Sequence, residues 1–142
     1  MKLIFLDIDG VLNSHGNTQI ENDKILLLNE IVKETNAEVV ITSTWRIGQS
    51  VQTLQQTLSN LGFIGIVNGK TDELWCRGEE IDEYLHPQDH WDNLQHNDVT
   101  RYIVIDDYWV SEHEHSQVKT KTKHGLTKWH ADLAIMMLNV DE

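Results

Sequence analysis

Asp7 and Asp9, one residue apart at the end of the apolar run Leu3-Ile4-Phe5-Leu6, are the residues of this chain best placed to do chemistry. Side chains along a strand alternate faces, so the two carboxylates lean to the same side while Ile8 turns back to the core. Carboxylates held this close beside a core repel each other and resist desolvation, a cost that a bound cation removes and ordinary packing does not. The pattern recurs twice. Residues 38–46 read EVVITSTWR, an apolar strand ending in hydroxyls, and residues 101–107 read RYIVIDD, an apolar strand ending in paired acids. If these strands lie parallel, their carboxyl ends share one sheet edge, where open α/β folds bind ligands at a topological switch point. Asp7, Asp9, Thr42, Ser43, Asp106 and Asp107 then meet in one crevice.

The elements that must position them read as an alternation of strands and helices. The uninterrupted run 3–6 suits a strand buried on both faces of a parallel sheet, and Gly10 lets the chain bend sharply behind it. Asn22 or Asp23 caps a helix running to about Thr35, with Ile25, Leu28, Ile31 and Val32 on the buried stripe. A strand follows over 38–43. Ser50 caps the next helix, which Gly62 ends. Residues 63–67 read as a third strand and 68–71 as a turn. A helix opens near Arg77 and stops before Pro87. Residues 88–100 are strongly polar and read as a loose helix or a loop. The fourth strand ends at Asp106, 117–120 is a short edge strand, and Thr127 caps a last helix whose stripe, Trp129, Leu133, Ile135, Met136 and Met137, reads as core.

With those strand ends in hand, the motifs resemble the haloacid dehalogenase (HAD) superfamily of phosphotransferases over nearly the whole chain. DIDGV matches its first motif, Thr42 after VVI its second, Cys76-Arg77-Gly78-Glu79-Glu80-Ile81 its third, and IDD at 105–107 its fourth. The combination of DIDGVLNS, ITSTWR, RGEEI and a late GLT most resembles the phosphatase-like domains of "Swiss-army-knife" RNA repair proteins. The resemblance implies an α/β fold, a HAD-like Rossmannoid three-layer sandwich with a mainly parallel sheet. The chain reads as one domain over 1–142, with no room for the large cap domain that many relatives insert, only a short polar flap at 14–22.

The same resemblance makes Asp7 the nucleophile of an aspartyl-phosphate mechanism, and Asp9 the acid that protonates the leaving alcohol and then the base that activates water. It implies Mg²⁺, held by the carboxylates of Asp7 and Asp106 and the main-chain carbonyl of Asp9, with Asp107 a ligand or an outer acid. Thr42 Oγ holds a phosphate oxygen, or Ser43 beside it does. Arg77 stands where the family usually places lysine, and Lys70 is the competing source of positive charge.

Substrate contacts are expected around these groups. Arg46 and Trp45 face the substrate, the arginine toward a phosphate and the indole toward a base, or they are a surface arginine and a buried tryptophan. Lys119 opens the basic run 119–128, KTKTKHGLTK, which holds four lysines and His124. Such a run is ordinarily a solvated loop, but this one follows the fourth-motif strand and should emerge beside the crevice.

The expected activity is therefore a Mg²⁺-dependent phosphomonoester hydrolase acting on a nucleic-acid terminal phosphate, with association with repair ligase or kinase components. A small-metabolite, nucleotide or phosphoprotein phosphatase would share the whole catalytic set, and a non-catalytic binding module would keep the same architecture. The formal charge of −12 argues against broad, salt-sensitive adhesion to nucleic acid. No run of 18 apolar residues and no basic-then-apolar leader is present in the sequence, so the reading is a cytoplasmic chain without a membrane partner. The single cysteine, Cys76, excludes an internal disulfide and reads as a small buried filler. His113-Glu114-His115 lacks a third ligand at the spacing a zinc site needs.

Overall fold

Five strands, β1 (Lys2–Leu6), β2 (Glu38–Ile41), β3 (Val67–Lys70), β4 (Arg101–Asp106) and β5 (Gln117–Lys119), form one sheet. Four helices, α1 (Asn22–Thr35), α2 (Val51–Asn60), α3 (Arg77–Leu85) and α4 (Lys128–Asn139), complete the computed structural model, which describes residues 1–87 and 98–140. The expectation for residues 88–100 falls mostly on 88–97, which lie outside the described residues. The sheet is parallel throughout, in the order β3-β2-β1-β4-β5. The chain walks outward from β1 to β3 and then crosses back to β4 on the far side of β1. The reversal of strand order therefore sits beside β1, the strand that carries Asp7 and Asp9 at its exit.

The apolar strands sort their side chains by parity. Ile4 and Leu6, with Val39, Ile41, Ile103 and Ile105, face α1, α2 and α4, whereas Leu3 and Phe5, with Val40 and Val104, face Ile81 and Leu85 of α3. Both faces of the sheet are thus covered, which gives the expected three layers and explains why these strands read as continuous apolar runs. Only residues 7–21 separate β1 from α1, so no cap domain covers the sheet edge. No helix among the described residues is long and apolar enough to cross a membrane.

Several local expectations are met by their stated chemistry. Ser50 Oγ accepts the Thr53 N–H at 3.0 Å, and Thr127 caps α4 in a reciprocal box with the His130 ring. Gly62, at φ +103°, follows α2 in the left-handed conformation expected beyond a helix end.

Others are corrected. The third strand is β3, not residues 63–67, and the expected turn at 68–71 supplies most of it. Gly69 makes this possible, because a Cβ there would stand 2.3 Å from the Tyr84 hydroxyl oxygen that fills the space. The residue before α1 is Glu21, which makes no cap bond and instead accepts hydrogen bonds from Ser14 and Asn17, closing the 14–21 flap on itself. On α4 the buried positions are Ala131, Ala134 and Leu138, while Trp129 and Met136 are exposed. Small residues let α4 lie close to α1 and β4, so the larger side chains sit at the flanks of the contact. Cys76 is exposed, because it precedes α3 in extended backbone with its side chain in solvent.

Candidate active site

The sheet register builds the site before any side chain is considered. Leu6 pairs with Ile41 on one side and Ile105 on the other, so Asp7, Thr42 and Asp106 leave the sheet at one level. Ladder hydrogen bonds continue one step past the strand ends, from Asp7 N–H to the Ile105 carbonyl and from Thr42 N–H to the Leu6 carbonyl, both at 3.0 Å. The backbone under the chemistry is therefore sheet, not loop. An open cavity of about 330 Å³ lies over this edge, lined by Asp7, Asp9, Ser43, Thr44, Arg77, Asp106, Asp107 and the segment 108–110.

Asp7, Asp106 and Asp107 are all buried, and one carboxylate oxygen from each lies within 4.8 Å of the others. Burial, reinforced by the Asp106 charge, pushes the Asp7 carboxyl up to about 7, although Arg77 and the Ile8 N–H pull it down. Burial likewise raises Asp106, against the pull of the Tyr108 N–H and Arg77. Three acids so placed, with two of them resisting ionisation, fit a hard divalent cation. Gly10 permits the approach, because a Cβ on it would lie 2.1 Å from Asp107 Oδ2. Thr122 Oγ1 donates to that same Asp107 oxygen at 2.7 Å, which holds the carboxylate against the loop after β1.

Asp9 stands apart from the trio. Its carboxylate is exposed and held from two sides, by Asn13 Nδ2 at 2.8 Å and by the Trp45 indole N–H at 3.2 Å. The crowding expected at both aspartates thus falls on Asp7 and Asp106, and Asp9 is left facing the cavity with its orientation fixed. Trp45 is half-buried against the core and spends its one polar atom on Asp9.

Of the two candidates for positive charge, Arg77 enters the cavity and Lys70 does not. Arg77 NH1 donates to Asp106 Oδ2 at 2.5 Å and reaches Thr42 Oγ1 at 3.4 Å and Asp7 Oδ1 at 3.7 Å. Lys70 Nζ instead donates to the Gln49 carbonyl at 2.6 Å, tying the end of β3 to the start of α2. Arg46 is buried rather than facing the substrate. Its five N–H groups go to the Thr71, Thr42, Ser43 and Asp72 carbonyls and to Glu80 Oε2, which leaves no donor for a phosphate. Ser43 Oγ accepts the Trp45 N–H at 3.2 Å and so shapes the 3₁₀ turn Thr44–Arg46.

Lys119 closes β5 beside Asp106, and the run that follows it meets the acids through Thr122 and Asp107. Thr120 Oγ1 donates to the Gly10 carbonyl at 2.7 Å, and a bridge between Lys121 and Gly125 forms the turn that presents Lys121 and Lys123. His113 is committed elsewhere, its two ring nitrogens bonded to the Tyr102 hydroxyl at 2.7 Å and Asp82 Oδ1 at 2.8 Å.

Sequence reasoning passed over Asn13, Glu80, Tyr108 and Trp109. Asn13 and Glu80 carried a signal in their spacing, four residues after Asp9 and three after Arg77; the two aromatics carried one in following the paired acids directly. The model of one protein family, described as the HAD domain in Swiss Army Knife RNA repair proteins, matches residues 3–131. No curated protein and no solved structure matches the chain.

Proposed function

Because the chain belongs to the HAD domains of Swiss Army Knife RNA repair proteins, a membership that suggests phosphatase-type activity, we propose that it is a phosphomonoesterase removing the terminal phosphate of a nucleic-acid end. The observation that carries the catalytic part is the register that brings Asp7, Thr42 and Asp106 level at the switch point, with Arg77 against all three.

Asp7 supplies a carboxylate oxygen that attacks phosphorus in line with the ester oxygen. As the new O–P bond forms, the bond to the leaving oxygen breaks, and Asp9 gives that oxygen its proton. A water then attacks the aspartyl phosphate, Asp9 takes the water's proton, and inorganic phosphate leaves with the Asp7 carboxylate restored. Asn13 and Trp45 keep the Asp9 carboxylate aimed through both steps. Thr42 and Arg77 bind the non-bridging phosphate oxygens, where charge must be balanced in phosphoryl transfer. Asp7, Asp106 and Asp107 would hold Mg²⁺, which supplies positive charge to the phosphate and relieves the repulsion among the acids.

The nucleic-acid part of the reading is supported by the open crevice, by the basic turn tied to Asp107, and by the family's description. Ends cleaned in this way are the substrates of ligase and kinase components of a repair system, the partners we expect. Phosphate release, measured with Mg²⁺ and with EDTA on phosphorylated oligonucleotides, mononucleotides, sugar phosphates and phosphopeptides, tests both parts. Full activity in EDTA or in Asp7→Asn refutes the mechanism. A preference for sugar phosphates or phosphopeptides refutes the substrate class.

A further inference from the structure

Tyr108 and Trp109 follow Asp106 and Asp107 directly, line the crevice, and remain 72% and 59% exposed. The backbone that carries them is fixed. Tyr108 N–H donates to Asp106 Oδ1 at 2.9 Å, and the buried Gln117 side chain donates to the Tyr108 carbonyl at 2.6 Å while accepting the Val110 N–H at 2.8 Å. Val110, the next residue, is packed in the core under α3. Two large rings are therefore turned outward from a segment with little freedom of its own, so a ligand stacking on them has little ordering cost to meet.

A cation lies against the same rim. Lys119 Nζ stands 6.0 Å from the Trp109 ring centroid, within the range of attraction to an aromatic face. The Thr122 bond to Asp107 ties the turn bearing Lys121 and Lys123 to the acid that directly precedes Tyr108. The acids, Arg77, Tyr108 and Trp109 line the cavity, and Lys119 lies against Trp109 at its rim.

We propose that Tyr108, Trp109 and Lys119 form the subsite for an unpaired nucleotide adjoining the phosphate that is removed. The base stacks on the indole and phenol faces, and the lysine meets the next backbone phosphate. Every nucleobase offers a π-face, so such a platform accepts any sequence, and the cation beside the ring suits a chain whose bases and phosphates alternate. Trp45, by contrast, is committed to Asp9. This subsite rests on the nucleic-acid reading above.

The test compares kcat/KM for a phosphorylated single-stranded oligonucleotide with that for the same strand bearing an abasic terminal nucleotide, in the parent, Trp109→Ala, Trp109→Phe and Lys119→Gln. Stacking is worth about 1–3 kcal/mol per base, so the base-bearing end is expected to be favoured about 5- to 150-fold in the parent. The ratio should fall toward one in Trp109→Ala, chiefly through KM, and largely return in Trp109→Phe. Lys119→Gln should lower kcat/KM on both ends and flatten its salt dependence. Trp75→Ala, which removes an exposed indole outside the crevice, is the control that keeps the ratio. Quenching of indole fluorescence by the oligonucleotide in Asp7→Asn, lost on adding Trp109→Ala, gives the same answer without turnover. Equal kcat/KM for the two ends in the parent, or a ratio unchanged in Trp109→Ala, overturns the subsite while leaving an oligonucleotide phosphatase standing. A phosphopeptide or sugar phosphate preferred over the oligonucleotide overturns the nucleic-acid reading and the subsite together.

Discussion

Asp7→Asn should abolish activity and, in the absence of metal, stabilise the protein. The Asp7 carboxyl is raised from its ordinary 3.8 to about 7, first by burial and then by the Asp106 charge, so the fold holds the ionised form at a disadvantage. At roughly 1.4 kcal/mol per pH unit, that difference is about 4 kcal/mol. The sign follows from proton binding. Between 3.8 and about 7 the folded state keeps a proton that the unfolded state has released, so stability falls as pH rises through this window and is lowest above it. Asparagine keeps the volume and a polar contact for the Ile8 N–H while removing the charge. In EDTA at pH 8 the variant should gain up to about 4 kcal/mol over the parent, on the order of 10 °C in Tm for a chain of this size, and the gain should vanish near pH 4. Saturating Mg²⁺ should narrow the gap, since it stabilises the parent's ionised cluster. Urea titrations at pH 4, 6 and 8, with EDTA and with Mg²⁺, measure all of this. A variant less stable than the parent at pH 8, or a difference independent of pH, refutes the account of the acid cluster.

Asp9→Asn should damage alkyl phosphates far more than p-nitrophenyl phosphate, whose leaving group departs unaided, and Trp45→Phe should show a smaller loss of the same kind; equal losses on both esters argue against an acid role. Arg77→Ala should reduce kcat/KM more than Lys70→Ala, because only Arg77 stands against Asp7, Thr42 and Asp106, and the reverse order would move the phosphate-binding charge to Lys70. Arg46→Met should cost about 3 kcal/mol of stability in denaturant titrations by leaving buried Glu80 with only its 3.7 Å contact to Arg77 as a charge partner, whereas a raised KM at unchanged stability would return Arg46 to the substrate. On oligonucleotides, log kcat/KM should fall with log salt at a slope of about −2, as three lysines on a single strand predict, and flatten when Lys119, Lys121 and Lys123 are neutralised; a slope untouched by neutralisation removes them from the interface.

What the sequence disclosed and what it hid divide along a physical line. β1, β2 and β4 announced themselves because a strand buried on both faces must be apolar throughout, and because an acid or hydroxyl at its end has no packing reason to be there. Ser50 and Thr127 did so because a cap bond is local. β3 stayed hidden because Gly69 is there to admit Tyr84, fifteen residues on, and no local propensity encodes that contact. Arg46 was misplaced for a similar reason. An arginine reads as surface until five acceptors converge on it, and here they come from its own turn and from residues as far away as Glu80.

The position of Arg77, where the resemblance anticipates lysine, follows from that hidden arginine. Arg46 is salt-bridged to Glu80 at 2.8 Å, and Glu80 in turn lies 3.7 Å from Arg77 Nε. The NH1 end of Arg77 faces Asp106, Thr42 and Asp7. Charges thus alternate from the core to Asp7: arginine, glutamate, arginine, aspartate. A planar guanidinium can face a carboxylate at each end of its fork, whereas a lysine ammonium is a single point that would have to choose. Glu80 needs both arginines, since a buried carboxylate with one distant partner is costly. The departure at residue 77 is therefore matched by Arg46 within ITSTWR and Glu80 within RGEEI. Arg46 and Glu80 thus fix the cation that faces the acid cluster to the interior of the protein rather than leaving it at the end of a flexible side chain.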